Sequence, residues 1–205
     1  MTESQARAQI VVYAALLWSR GLVYGTSGNV SVRLGDGTLL VTPSGRSLRA
    51  LEEYELVRTS PEGQPVDPSQ RPTSELPLHV AAYRTRPDIR CVIHTHPTAC
   101  VAWSKQGVLF PLDTVGAQES LDPISFTTYA PSGTVELADR CAHALAAGAQ
   151  SVVMERHGLS SVGRTLETAF VRTDLAEQTA AIELQAALLR ATSVLTDASS
   201  EPGVV

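Results

Sequence analysis

The chain has 205 residues, 43% of them apolar and 18% charged, with a formal net charge of −5. That is the composition of a globular domain with a buried core, and it excludes a disordered chain. The acidic balance excludes a broad nucleic-acid surface, although a few local donors can still bind a small anion.

Residues 4–20 carry Ile10, Val11, Ala14, Leu17 and Trp18 at helical spacing, and Gly21 supplies a stop. The apolar run Val11–Trp18 is too short to span a bilayer. Glu3, with no basic stretch before it, argues against a signal peptide. Cys91, Cys100 and Cys141 form no C-x-x-C pair and read as buried thiols, which places the chain in a reducing cytoplasm. The alternation of Val30, Val32 and Leu34 predicts a strand over Asn29–Leu34, and a second follows the Gly-Asp-Gly turn over Thr38–Thr42.

Residues 60–72, with four prolines, read as a loop. Pro72-Thr73-Ser74-Glu75 then opens a helix running to about Thr85, with Thr73 or Ser74 as its N-cap. Ile89–Thr95 predicts a strand, and Pro97 starts a helical segment. The Gly- and Pro-rich stretch 107–134 predicts short strands joined by loops. A helix over Val135–Ala147 closes at Gly148, and a strand over Ser151–Met154 leads into Arg156-His157-Gly158. A long amphipathic helix is expected over 165–190, with 191–205 as a mobile tail. The interleaved strands and helices predict an α/β layered fold in a single domain, 1–205, whose core spans about 4–190.

Chemistry concentrates on histidine. Residues i and i+2 of a strand share a face, so His94 and His96 can address one ion, and imidazole suits zinc and other late divalent metals. His157, between a strand and Gly158, can complete a three-histidine set with an open fourth position. His79 and His143 fall inside predicted helices and receive no role, although Glu75 lies four residues before His79 and could pair with it. Three loops of small residues, 25–29, 42–45 and 72–75, offer backbone and hydroxyl donors to an anion, the third at a helix N-terminus.

In order, G-T-S-G-N at 25–29, T-P-S-G at 42–45, T-S-E at 73–75, H-T-H-P at 94–97 and R-H-G at 156–158 resemble the class II aldolase/adducin-head family. The resemblance covers about 4–190. It implies a class II aldolase-like α/β/α domain with a central mixed sheet flanked by helices. The assembly it implies is a homotetramer with active sites at subunit interfaces. It implies His94, His96 and His157 as zinc ligands, with Mn2+, Co2+ or Fe2+ as alternatives. Glu75 is implied as acid/base, and Thr26, Asn29, Ser44, Gly45, Thr73 and Ser74 as the substrate phosphate site. The activity so implied is a metal-dependent carbon–carbon lyase. The metal would stabilise an enediolate as a ketose 1-phosphate of the fuculose or ribulose type is cleaved to dihydroxyacetone phosphate and an aldehyde. Epimerisation, dehydration or decarboxylation at the same site are alternatives, and a non-haem iron oxygenase or an adducin-like interaction domain are remoter ones. The family's aldolases use tyrosines after the H-x-H helix and in the C-terminal tail, whereas here Pro111–Val115 holds none and no tyrosine follows Tyr129. Asp113 is the candidate substitute acid, Glu119 a second one, and Tyr129 reads as structural.

Overall fold

In a computed structural model, the structure describes residues 1–121 and 123–198, with the backbone alone for 193–198. Its frame is one mixed sheet of seven strands in the order β3-β2-β1-β4-β7-β6-β5. Only the β5–β6 pair is parallel; every other neighbour is antiparallel.

The first helix, α1 (Glu3–Ser19), starts at a capping box in which Thr2 and Gln5 satisfy each other's backbone N–H groups. β1 (Asn29–Arg33), β2 (Leu39–Val41) and β3 (Val57–Thr59) form an antiparallel meander. β4 (Cys91–Thr95) is buried along its whole length. It pairs with β1 on one side and β7 (Gly158–Gly163) on the other, with helices on both faces.

On one face, α2 (Leu76–Thr85) and α5 (Val135–Ala146) cover an aliphatic core built on Val41, Val92, Val152 and Val162. On the other, α1 and the start of α6 (Leu166–Ala198) bury Val30, Val32, Cys91 and Ile93. Farther along that face, α3 (Thr98–Ser104), α4 (Val115–Ser120) and α6 enclose Phe110, Val153 and Leu159. The layered α/β/α arrangement expected from the sequence is therefore present. Cys91, Cys100 and Cys141 are free and buried. Among the described residues, no helix is long and apolar enough to cross a membrane.

Several local expectations are corrected. The N-cap of α2 is Glu75, which makes no side-chain cap bond; Thr73 Oγ1 instead accepts from Glu75 N at 3.3 Å. The Glu75 carboxylate has turned to the histidines, and Pro77 at the second helical position needs no N–H partner there. Stretch 107–134 contains a helix, α4, as well as the strand β5 (Ile124–Thr127). Helix α6 runs on to Ala198, past the end expected near 190; 199–205 lies outside the described residues.

Candidate metal centre and anion cavity

The site forms where β4 ends. His94 is its fourth residue and His96 lies just beyond it. The cross-strand partners of His94 are Asn29 on β1 and Ser160 on β7, so the end of the first small-residue loop is fixed beside the H-x-H pair. His157 arrives from the three-residue turn that joins β6 (Ser151–Met154) to β7. In that turn Arg156 adopts φ 55°, a left-handed conformation that costs a side-chain-bearing residue about 1 kcal/mol or more. Its N–H bonds Ser104 Oγ at 2.9 Å and its guanidinium lies 4.5 Å from the Tyr129 ring centroid. Tyr129 thus braces the turn that presents His157.

Glu75, His94, His96 and His157 bring their donor atoms within 4.8 Å of one another. The three rings meet edge-on, their centroids 4.8–5.0 Å apart. Glu75 Oε2 lies 2.6 Å from His94 Nε2, and Oε1 lies 3.2 Å from His157 Nε2. Burial alone would raise the Glu75 carboxyl, but the attraction of His94 and hydrogen bonds with His157 and His94 hold it well below the usual carboxylate range. Burial, then the neighbouring His94 and His157, push the His96 imidazole down to about 3, so it is neutral near pH 7 with a lone pair to give.

A divalent cation fits this donor set. His94 Nδ1 donates to the Leu159 carbonyl at 3.0 Å, which leaves Nε2 as the inward ligand atom. That Nε2 faces the Glu75 carboxylate and also His96 Nε2 at 2.9 Å, so two imidazole nitrogens and a carboxylate oxygen converge on one point that a cation can occupy. The outer Nδ1 of His157 is buried and has no partner among the described residues.

Gly158 is indispensable to this packing. A Cβ there would sit 2.2 Å from the Thr95 carbonyl oxygen, 3.0 Å from His96 Cδ2 and 3.1 Å from His94 Cε1. Replacing Gly158 with Ala is expected to lower stability by about 1–3 kcal/mol. Displacing two of the rings should also weaken metal binding by about 10-fold or more. Thermal melts and metal titration check both.

The three small-residue loops converge beside the cluster. An isolated bridge joins Pro43 to Pro72, and Thr73 N donates to Thr42 O at 3.0 Å, clamping the second loop to the third. Thr26, Asn29, Ser44, Gly45, Thr73 and Ser74 all line one cavity of about 180 Å3, together with Glu75, His96 and Ser132. Among the described residues, the hydroxyls of Thr26, Ser44 and Ser74 have no protein partner, so they are available to an anion. Gly28, at φ 79°, packs so tightly that a Cβ would meet Val23 Cγ1 at 2.3 Å. The chain therefore turns sharply enough to aim Asn29 at the site.

Several residues stand otherwise than the sequence suggests. Asn29 is not simply an anion donor, because its Oδ1 meets His79 Nε2 at 2.5 Å and its Nδ2 donates to Glu75 Oε2 at 3.3 Å. His79, given no role from the sequence, is fully buried and reaches Glu75 through Asn29 rather than by a direct pair. Asp113 is exposed, lies beside Glu183 on α6, and belongs to neither the metal cluster nor the cavity lining. Glu119, exposed on α4, is absent from both as well. Ser132, missed in the sequence, donates from Oγ to Glu75 Oε1 at 2.8 Å. Its Pro-Ser-Gly setting at 131–133 repeats the grammar of Pro43-Ser44-Gly45 and could have flagged it.

Over residues 8–184 the sequence matches the class II aldolase and adducin N-terminal domain family, and the chain belongs to it. With a mixed seven-stranded sheet and a complete histidine–glutamate cluster, it is a metal-dependent lyase of the class II aldolase type. It is 33% identical over 165 residues to an L-fuculose phosphate aldolase of Methanococcus vannielii, covering 80% of this chain and 88% of that one. It is 30% identical over 187 residues to a 3-oxo-tetronate 4-phosphate decarboxylase of Pectobacterium atrosepticum, covering 87% and 84%. Among solved structures, the L-fuculose-1-phosphate aldolase of Thermus thermophilus superposes with a TM-score of 0.79 at 27% identity, covering 98% of this chain and 100% of that one.

Proposed function

We propose that the protein is a zinc-dependent aldolase that cleaves a ketose 1-phosphate to dihydroxyacetone phosphate and an aldehyde. The observation that carries this reading is the shared boundary of metal cluster and anion cavity, since Glu75 and His96 belong to both. A phosphate in the cavity, held by Thr26, Asn29, Ser44, Gly45, Thr73 and Ser74, would place the first carbons of the sugar against the histidines. Bound by His94, His96 and His157, a zinc ion supplies Lewis acidity toward the substrate's carbonyl oxygen.

The chain's residues then manage position and protons. The C3–C4 bond breaks, its electron pair stays on C3 as an enediolate, and the C4 hydroxyl loses its proton as it becomes the aldehyde carbonyl. Glu75 moves the proton that converts C3 to the hydroxymethyl carbon of dihydroxyacetone phosphate. Ser132 and Asn29 hold one carboxylate oxygen each, so the group stays oriented while its histidine contacts exchange for substrate.

Decarboxylation of a 3-oxo acid phosphate is a second reading, favoured by one observation. Among the described residues, the cluster holds no acid/base for the C4 hydroxyl beside Glu75, and Asp113 lies by Glu183 instead. Loss of carbon dioxide needs no such group, only protonation of the enediolate left behind. The family supports a homotetramer with sites at subunit interfaces, where a neighbouring copy could supply that group. The buried free thiols support a cytoplasmic setting for a single catalytic domain with its core at 4–190.

The test is product analysis of the zinc-loaded protein with fuculose 1-phosphate, ribulose 1-phosphate, 5-deoxyribulose 1-phosphate and 3-oxo-tetronate 4-phosphate. Dihydroxyacetone phosphate from a ketose supports the aldolase, and carbon dioxide from the oxo acid supports the second reading. Turnover of none of them, with no binding of inorganic phosphate, sinks both.

A further inference from the structure

A chain of buried polar groups runs away from the metal cluster into the core beneath α2, and the mechanism above uses only its last two members, Asn29 and Glu75. Tyr83 Oη lies 2.8 Å from Ser31 Oγ, and Ser31 Oγ lies 2.7 Å from His79 Nδ1. His79 Nε2 lies 2.5 Å from Asn29 Oδ1, and Asn29 Nδ2 reaches Glu75 Oε2 at 3.3 Å. Ser31, His79, Asn29 and Glu75 are each 5% exposed or less. Buried polar groups of this kind are costly unless each hydrogen has an acceptor, so the direction of every bond can be worked out.

The ionised Glu75 carboxylate only accepts, so the atom of Asn29 facing it is the amide nitrogen. The amide oxygen therefore faces His79, and His79 must carry its hydrogen on Nε2. Burial, the largest influence on His79, keeps the ring neutral near pH 7, so Nδ1 has a lone pair and accepts from Ser31 Oγ. Ser31 Oγ, its hydrogen given to His79, can only accept from Tyr83 Oη at 2.8 Å, which also reaches the Arg90 carbonyl at 3.4 Å. Reversing His79 to the Nδ1–H tautomer would set two acceptors face to face at Asn29 and free the amide to flip.

We propose that His79 is a positioning residue that locks the side-chain amide of Asn29, so that its Nδ2 group serves Glu75 and the anion cavity together. Nδ2 carries two hydrogens. One is given to Glu75 Oε2, and the other is left for an oxyanion in the cavity that Asn29 lines. The anion and the acid/base are thereby joined through a single planar group, and anchoring of the phosphate fixes the carboxylate that handles the proton. This assignment rests on the proposed reading of the cavity as a phosphate site, but the tautomer it requires does not.

Two measurements test it. Long-range proton–nitrogen spectra of the protein at pH 7 should show His79 as the neutral Nε2–H tautomer; an Nδ1–H tautomer overturns the proposal whatever the substrate is. In the second, zinc content, inorganic phosphate affinity by calorimetry, and kcat are compared for wild type, His79→Leu and His79→Gln. His79→Leu should bind zinc as wild type does, weaken phosphate about 10-fold, and lower kcat by about 10- to 100-fold, the range seen when a group supporting a site's ligands is lost. His79→Gln can donate to Asn29 Oδ1 from its amide, so it should recover phosphate affinity and kcat to within about 3-fold; it also serves if the leucine variant does not fold. Wild-type affinity and kcat in a folded His79→Leu overturn the positioning role, as does failure of a folded His79→Gln to rise above a folded His79→Leu. If His79→Leu does not fold, a folded His79→Gln reduced about 10-fold or more in phosphate affinity and kcat overturns it. A wild type that binds no phosphate overturns the cavity reading instead, and the coupling with it.

Discussion

Replacing His94 with Ala is expected to strip the protein of bound metal and to lower lyase activity by at least about 10^3-fold, while the chain stays folded. The expectation follows from how many constraints meet on this ring. It is fully buried, its Nδ1 is fixed by the Leu159 carbonyl, and its Nε2 lies 2.6 Å from Glu75 and 2.9 Å from His96. Changing a group that merely orients a metal ligand typically costs 10- to 100-fold in affinity or activity, so removing a ligand must cost more. The truncation also opens a cavity between β1 and β7, at about 2–4 kcal/mol. Part of that is offset because the crowding of donors against the Glu75 carboxylate is relieved. Elemental analysis with circular dichroism of the variant decides the matter. Metal bound at the wild-type level would mean that the ligand set is wrong.

The parts of this centre that could be read in the sequence are those on which backbone period forces an outcome. Side chains at i and i+2 of an extended strand share a face, so His94 and His96 were bound to converge once Cys91–Thr95 was a strand. The three small-residue loops were legible for a similar reason, because Gly, Ser, Thr and Pro mark sharp turns. Their convergence was not legible, since it depends on the Pro43–Pro72 bridge between segments almost thirty residues apart in the chain. Strand β7, read Gly-Leu-Ser-Ser-Val-Gly, has little β-propensity of its own. It becomes a strand because β4 and β6 flank it, with Ser151 and Ser161 pairing hydroxyls at 2.9 Å. Helix α4 is six residues long and includes Gly116, too short for a periodic signal; Ala117 packs it into the core beneath α6.

His79 shows the same limit from the other side. Inside a helix, a histidine on a buried face looks like any satisfied core residue until its partners from β1 are known. Both of those partners, Ser31 and Asn29, sit on alternate residues of one strand, facing α2. The chemistry-bearing residues were thus visible by type and local period, whereas the connections among them were set by tertiary pairing.

Glu75→Gln should separate binding from chemistry. The substitution keeps the side-chain volume and leaves all three histidines in place, so zinc should remain bound and inorganic phosphate should still enter the cavity. On the proposed acid/base role of Glu75, kcat should fall by about 10^2- to 10^4-fold, the usual contribution of a positioned proton-transfer group. The neighbours predict how the amide will settle. Asn29 Nδ2 only donates, so the glutamine oxygen should take the Oε2 position, and its NH2 should replace Oε1 beside Ser132 and His157. Ser132 can rotate its hydroxyl to accept, which makes the swap tolerable to the fold. The contrast with His94→Ala is the informative part: one variant loses metal and turnover together, the other loses turnover with metal and phosphate retained. If Glu75→Gln keeps kcat within about 3-fold of wild type, the proton is handled elsewhere, and a group from a neighbouring copy of the chain becomes the place to look. If it loses zinc as well, Glu75 is a permanent ligand that cannot move to the substrate, and the lyase mechanism needs a different base.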